Sequence, residues 1–301
     1  MNNKELFGTL LAVFAAIVSG ISIPANKIFI VNIDPAVFTA LRAVIIGLAF
    51  LLLSFATHGM SRKLLKQDWK YLAFIAVVGG ALAFLLFFTG LGFTTAGRAA
   101  FLQKTLPIYA AVFAFIFLKE RIPKKQVYAL VLMLVGMAVI FSGQINPSVL
   151  WADPQFGDML VIAATVLWAL ENVVARKVMK DGSTNFIVSF ARMFFGGLIL
   201  FGAVALTGKI GIILSLTVGQ WNNVFISTIL LFGYVLFWYW SLRYINVSKA
   251  AAFLLLAPVV SLALGVVWLG EPAPAIQLLG SALILIGAYF VAGIKSEMQT
   301  V

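Results

Sequence analysis

The chain has 301 residues, 63% of them hydrophobic and only 10% charged, with a mean hydropathy of +1.09 and a formal charge of +11. A soluble protein is about 45–50% apolar and about 25% charged, so these charges are too few to cover a soluble domain, and the chain is integral to a membrane. It contains no cysteine and one histidine, His58, which excludes disulfides, thiolate metal sites and a histidine relay; no metal or other cofactor is expected.

About 20 apolar residues cross a bilayer as a helix. On that rule ten spans are predicted, at 6–28, 36–56, 71–92, 97–118, 125–143, 158–178, 185–207, 223–243, 249–269 and 275–294. The first follows MNNKELFG without a small-residue cleavage site and reads as a retained span. The second carries Arg42 near its start. The fourth lies in RAAFLQKTLPIYAAVFAFIFLKERIPKKQ at 98–126, with Lys104 and Pro107 inside the apolar run and Lys119-Glu120-Arg121 before Pro123. The sixth carries Glu171 and the seventh Arg192. The ninth contains Pro258 and ends in Leu269-Gly270-Glu271 before Pro274. All connections are short, so no soluble domain is inserted, and an even number of spans puts both termini on one side.

Sorted by alternate connections, 15 of the 21 basic residues fall on the side of the termini, 3 (Lys27, Arg98 and Lys209) on the other, and 3 (Arg42, Lys104 and Arg192) within spans. The positive-inside rule then predicts cytoplasmic termini in a multi-pass protein of the cell membrane. The charge of +11, which in a soluble protein would suggest nucleic acid, is accounted for by residues beside the lipid; membrane lipid is the expected partner and nucleic acid is not.

The two halves repeat. At an offset of 150, Lys27 matches Lys177, Arg42 matches Arg192, Gly47 matches Gly197 and Ser22 matches Asn172; at 151, Arg98 matches Lys249, Pro107 matches Pro258, Glu120 matches Glu271, Pro123 matches Pro274, Gln126 matches Gln277 and Gly136 matches Gly287. Five spans per half is an odd number, so residues 1–145 and 155–295 form two inverted-topology five-helix repeats in an all-α membrane protein. Such repeats build alternating-access carriers that hold substrate near the midplane.

Two five-span halves, each with a proline in the fourth helix, a Leu-x-Glu turn (118–120 and 269–271) and a glycine-bearing fifth helix, resemble the EamA-type members of the drug/metabolite transporter superfamily. The segment WALENVVARK at 168–177 is similar to that family's first-helix pattern, whereas the first half has Val18 in place of Trp168. The resemblance implies export or exchange of small metabolites such as amino acids, without ATP hydrolysis.

Charges inside spans are functional candidates by default. Arg42 and Arg192 sit near the starts of their spans, where snorkelling to headgroups or bonding to backbone carbonyls would account for them. Lys104 and Glu171 have no charged repeat partner, their equivalents being Leu255 and Ile21. A rise of about 1.5 Å per residue separates them by about 10 Å in depth. They are expected either to form a salt bridge or to line a cavity suited to a zwitterion, in which Glu171 could exchange a proton. Asn172, Trp168, Gln103, Ser22, Tyr234 and Trp238 complete the candidate substrate site, Phe101 and Phe253 are candidate gates, and Pro107 and Pro258 are candidate hinges beside the freed carbonyls of Gln103 and Leu254. Arg98 and Lys249 are expected to make the path more basic. Glu120 and Glu271 are expected to cap the helices that follow them. Ala129 with Gly136, and Gly280 with Gly287, leave thin faces for the repeat interface or a homodimer.

The leading expectation is a secondary transporter, exporter or exchanger, of small metabolites, amino acids or related zwitterions foremost and organic anions second. A proton or an exchanged metabolite would be the coupling partner. A membrane-embedded enzyme acting on lipid-linked substrates is disfavoured because the spans contain no Ser–His pair, HExxH or carboxylate cluster. A channel would be expected to carry rings of polar residues instead of this repeat, and no Walker motif is present.

Overall fold

The computed structural model describes residues 3–29, 33–58, 69–142 and 153–295, apart from the side chains of residues 23, 27, 28, 58 and 269. Arg62, Lys63 and Lys66 lie outside the described residues, as do the side chains of Lys27 and His58. Among the described residues there is no strand. Ten helices are long and apolar enough to cross a membrane: α1 (Asn3–Asn26), α2 (Pro35–Thr57), α3 (Trp69–Leu91), α4 (Ala96–Leu118), α5 (Lys124–Phe141), α6 (Phe156–Lys180), α7 (Asn185–Leu206), α8 (Val218–Tyr244), α9 (Val247–Trp268) and α10 (Ala275–Gly293). The largest shift from the expected limits is at α8. It starts at Val218 because Thr217 and Gln220 form a capping box, with Thr217 N donating to Gln220 Oε1 at 2.8 Å and Gln220 N to Thr217 Oγ1 at 3.3 Å.

The helix pairings follow the repeat. Helix α1 packs against α8 and α9, and its counterpart α6 packs against α3 and α4; α2 lies against α7 and α5 against α10. Exchanging the halves turns this set of pairings into itself. In lipid, helices associate through close packing of small residues, and the thin faces serve that purpose within the chain. A Cβ at Gly136 would lie 2.6 Å from the Gly280 carbonyl oxygen, and one at Gly287 would lie 2.9 Å from the Ala129 carbonyl oxygen. Ala129, Gly136, Gly280 and Gly287 thus join α5 to α10.

Helices α3 and α7 each contain a π-helical stretch, Ile75–Leu82 and Ala191–Phe195, and these meet. Widened turns of this kind shift the register of the side chains that follow. The contact requires glycine: a Cβ at Gly80 would stand 2.2 Å from the Arg192 carbonyl oxygen, and one at Gly196 would stand 2.5 Å from Gly80 Cα. Helices α4 and α9 are interrupted. The first stops at Gln103 and restarts at Leu106; the second passes through a 3₁₀ turn, Leu254–Leu256, and restarts at Ala257. Pro107 and Pro258 therefore lie in the first turn of a new helix, where the missing N–H is tolerated. Thr105 Oγ1 donates to the Leu102 carbonyl at 2.5 Å, so part of the broken backbone is satisfied locally.

On the face opposite the termini, the halves are tied by Lys209 Nζ and Asp34 Oδ2 at 2.7 Å. Asp34 also caps α2, accepting from Ala36 N at 2.9 Å and Val37 N at 3.2 Å. Burial alone would raise the Asp34 pKa, but Lys209 and the two N–H groups outweigh it and hold the carboxyl below its ordinary range. A group depressed in the folded state contributes stability above its unfolded pKa and loses it as pH falls through the folded pKa.

Two stability measurements in detergent check these contacts. Gly80→Leu is expected to cost about 1–3 kcal/mol by forcing α3 from α7. Asp34→Ala is expected to cost about 1 kcal/mol at neutral pH through the lost cap, with the difference from wild type disappearing in acid.

Candidate functional site

A cavity of about 740 Å³ lies between the halves, within the usual range of small-molecule sites. It reaches the face opposite the termini beside Asn26, Phe141, Glu271, Pro272, Pro274 and Gln277, and narrows inward to Trp168, Asn172, Arg192, Trp238 and Leu255. Both helix interruptions border it through Gln103, Lys104, Pro107, Leu254 and Pro258.

One wall is aromatic. Tyr234 and Trp238 stack with centroids 6.4 Å apart and planes 9° apart, being one helical turn apart on α8. Trp168 is held edge-on to Phe84 at 5.1 Å, and its indole N–H donates to the Gly79 carbonyl at 3.1 Å. The Trp238 N–H donates to Asn172 Oδ1 at 2.9 Å. That bond fills one of the two acceptor sites of the amide oxygen and orients the amide, whose NH₂ carries two donors. Ser22 Oγ donates to the Val18 carbonyl at 2.7 Å, so its oxygen remains available as an acceptor.

Of the ten residues expected at the site, Lys104, Asn172, Trp168, Gln103, Ser22, Tyr234 and Trp238 line the cavity, as do Pro107 and Pro258. Glu171, Phe101 and Phe253 do not. Phe101 meets Phe141 edge-on at 5.8 Å and Phe253 is fully buried in the core, so in this structure both pack within the protein. Lys104 stands at the break in α4, and among the described residues its ammonium has no carboxylate partner.

Glu171 lies behind the wall, 0% exposed, where its Oε1 accepts from the Tyr239 hydroxyl at 2.6 Å. Its Oε2 stands 3.5 Å from Arg192 Nε without a hydrogen bond between them. The Lys104–Glu171 salt bridge is therefore replaced by a pair with Arg192, which itself borders the cavity. Gly79 makes room for the carboxylate, since a Cβ there would lie 2.2 Å from Glu171 Cγ. The signal for this pairing was present: Glu171 and Arg192 lie nine and seven residues from the ends joining α6 to α7, hence at similar depth.

Neither arginine snorkels. Arg42 donates to Ser227 Oγ at 2.6 Å and lies 4.1 Å from the Phe38 ring centre, while Ser227 donates to Asn26 Oδ1 at 2.7 Å. Hydroxyl, amide and ring compensate in one half for the carboxylate used in the other. Arg98 and Lys249 add no free charge to the path: Arg98 is ion-paired with Asp158, and Lys249 with Glu5 at 3.0 Å. These two pairs join the first turns of α4 and α6, and of α9 and α1.

On the face of the termini the cavity is sealed. Glu120 does not cap the following helix. It accepts from Val247 N at 3.1 Å, Ser248 N at 3.5 Å and Ser248 Oγ at 3.3 Å, and lies 3.0 Å from Arg176 Nε. Arg176 also donates to the carbonyls of Leu242 and Ile245, and Gln126 donates to Ser248 Oγ at 3.1 Å. Glu271, its repeat equivalent, borders the cavity mouth.

Comparison with known proteins agrees with this geometry. The chain is 24% identical over 283 residues to the uncharacterized transporter YyaM of Bacillus subtilis, covering 93% of this chain and 91% of that protein. It is 27% identical over 300 residues to a probable amino-acid metabolite efflux pump of Salmonella typhimurium, covering 96% and 95%. A solved crystal structure has the same fold, with a TM-score of 0.79 at 20% identity over 97% of this chain and 98% of that one. The profile of the EamA-like transporter family matches residues 6–142 and again 155–293; the chain belongs to that family and is a multi-pass membrane transporter of small molecules.

Proposed function

We propose that the protein is a secondary transporter of small carboxylate-bearing metabolites, amino acids and related zwitterions foremost, working by alternating access between its two halves. The observation that carries this reading is the Lys104 ammonium on the cavity wall, without a carboxylate partner among the described residues. A charge left unpaired within a span is expensive unless water or substrate compensates it. A substrate carboxylate at Lys104 would also have the Gln103 and Asn172 amides within the same lining. The stacked Tyr234 and Trp238 rings offer a face to an ammonium or an apolar side chain. The relative named as an amino-acid metabolite efflux pump supports amino acids and export.

A simple organic anion is the second reading, favoured by Arg192, which adds a guanidinium to the Lys104 ammonium in the lining while its carboxylate partner stays behind the wall. Cytoplasmic termini in the cell membrane follow from the distribution of basic residues. In that orientation the cavity opens outward. Gradient-driven exchange or proton coupling fits a chain without a Walker motif.

Lys104→Ala is expected to abolish accumulation of a labelled amino-acid mixture in proteoliposomes while the purified protein keeps its thermal midpoint, because no partner is orphaned. Wild-type accumulation would remove Lys104 from the site. Glu171→Gln should behave differently: leaving Arg192 buried without its counter-charge is expected to cost about 3–5 kcal/mol, read as a lowered thermal midpoint. A thermal-shift panel of amino acids against dicarboxylates separates the two substrate readings.

A further inference from the structure

Trp168 and Asn172 border the closed end of the cavity, while Glu171, between them in the chain, is enclosed by protein. Its Oε1 accepts from the Tyr239 hydroxyl at 2.6 Å, but its Oε2 is buried without a hydrogen bond. Arg192 Nε, 3.5 Å from that oxygen, is buried without one too. Charge alone joins the pair. Arg192 itself borders the cavity, with its Cζ 5.7 Å from the Phe84 ring centre and 5.8 Å from that of Tyr239. Among the described residues, the only acceptor for its Nη atoms is the Met193 thioether at 3.8 Å, a weak one. The guanidinium therefore has a carboxylate on its protein side and donors to spare at the cavity.

Among the described residues, Arg192 of α7 is the one cation within ion-pair distance of Glu171. Tyr239 and Tyr234 of α8 are the other titratable groups that act on it. From α3 it meets Gly79, whose missing side chain makes room for the carboxylate. Lys249 of α9 is paired with Glu5, and Lys104 of α4 stands at the helix break on the cavity wall.

We propose that Glu171 is the proton-coupling residue of the transporter, because a substrate carboxylate competes with it for Arg192. This rests on the carboxylate-transporter reading above and names its coupling ion. When a substrate carboxylate takes the Nη donors, two carboxylates share one guanidinium, and both do not stay ionised. A proton from solution adds to Glu171 Oε2, the oxygen that Tyr239 leaves free, forming an O–H bond while no other bond breaks. The substrate carboxylate then replaces Glu171 as the counter-charge of Arg192. The closed end of the cavity holds one positive and one negative charge before and after, as a membrane interior poor in counter-ions demands. Proton and substrate thus bind together and cross together, and their gradients set the direction.

The test uses the purified wild-type protein in weakly buffered detergent, with an amino-acid mixture as probe and the matching amino-acid amides, which lack the carboxylate, as comparison. Saturating amino acids should draw about one proton per protein from solution, read with an indicator dye, and the amides none. Between about pH 5 and 7, where neither amino-acid terminus titrates, binding should tighten by about tenfold per unit as pH falls. Infrared difference spectra should gain a protonated-carboxyl stretch on binding. Glu271 is the other carboxylate on the cavity lining, so the stretch should persist in Glu271→Gln and vanish in Glu171→Gln. The wild-type and Glu271→Gln spectra decide the matter even where Glu171→Gln folds poorly. A raised thermal midpoint without proton uptake would overturn the coupling and leave the transporter reading standing. So would proton uptake without the carboxyl stretch, which assigns the proton to Lys104, or a stretch lost in Glu271→Gln. A midpoint that no amino acid raises would overturn both.

Discussion

A charge taken into a span must bring its partner with it, and this demand holds the two halves together. The bilayer core supplies neither water nor counter-ions, so each buried cation seeks a carboxylate, a carbonyl or a ring within the chain. Arg98 and Asp158, Lys249 and Glu5, and Arg176 and Glu120 each join one half to the other. Arg42 reaches across to Ser227 in the second half. Helices in lipid have little hydrophobic incentive to associate. Charge pairing at the rims and glycine contacts at Gly80, Gly136, Gly196 and Gly280 supply what would otherwise come from a soluble core.

The repeat explains the scaffold, and the proposed substrate site lies where the sequence departs from it. Features kept in both halves, such as the interruptions before Pro107 and Pro258 and the left-handed turns at Lys119 and Gly270, belong to the fold. Features present once differ in kind. Lys104 answers to Leu255 and Glu171 to Ile21, and one borders the cavity while the other lies directly behind its wall. Arg42 shows that this fold can hold a buried arginine with hydroxyl, amide and ring alone. For Arg192 the carboxylate of Glu171 takes that role, so the two halves compensate equivalent arginines by different chemistry.

The ten spans, their limits and their inverted order were legible in the sequence because hydropathy and loop charge depend on composition and not on rotation. What was not legible was the azimuth of each side chain about its helix axis. Depth sets Glu171 nearer to Arg192 than to Lys104 but does not say which helix face each occupies; the π-helical stretch Ala191–Phe195, which has no clear mark in the sequence, belongs to the register that brings Arg192 to Glu171. Phe101 and Phe253 lie outside the cavity lining for the same reason, having the right depth and a different face. Sequence proximity points Glu120 to the helix that follows it. That helix start is already organised by the Pro123 carbonyl, which accepts from Gln126 and Val127, so the carboxylate was left for α9.

The position of Lys104 links occupancy to movement. It follows the last residue of the half-helix Ala96–Gln103, whose first turn is anchored by Arg98 to Asp158, and it precedes the half-helix Leu106–Leu118, which leads directly into Glu120. On the proposed reading, a carboxylate drawn to this ammonium therefore acts at the joint between a segment anchored to α6 and a segment that leads to the Glu120 contacts with α9. Helix α9 has the same joint without the charge, Leu255 standing in place of lysine. The substrate would grip one joint and only touch the other. A transporter with two symmetric joints and one charged grip can bind its cargo in either state while sensing it from a single half, which is the use such a fold has for breaking its own repeat.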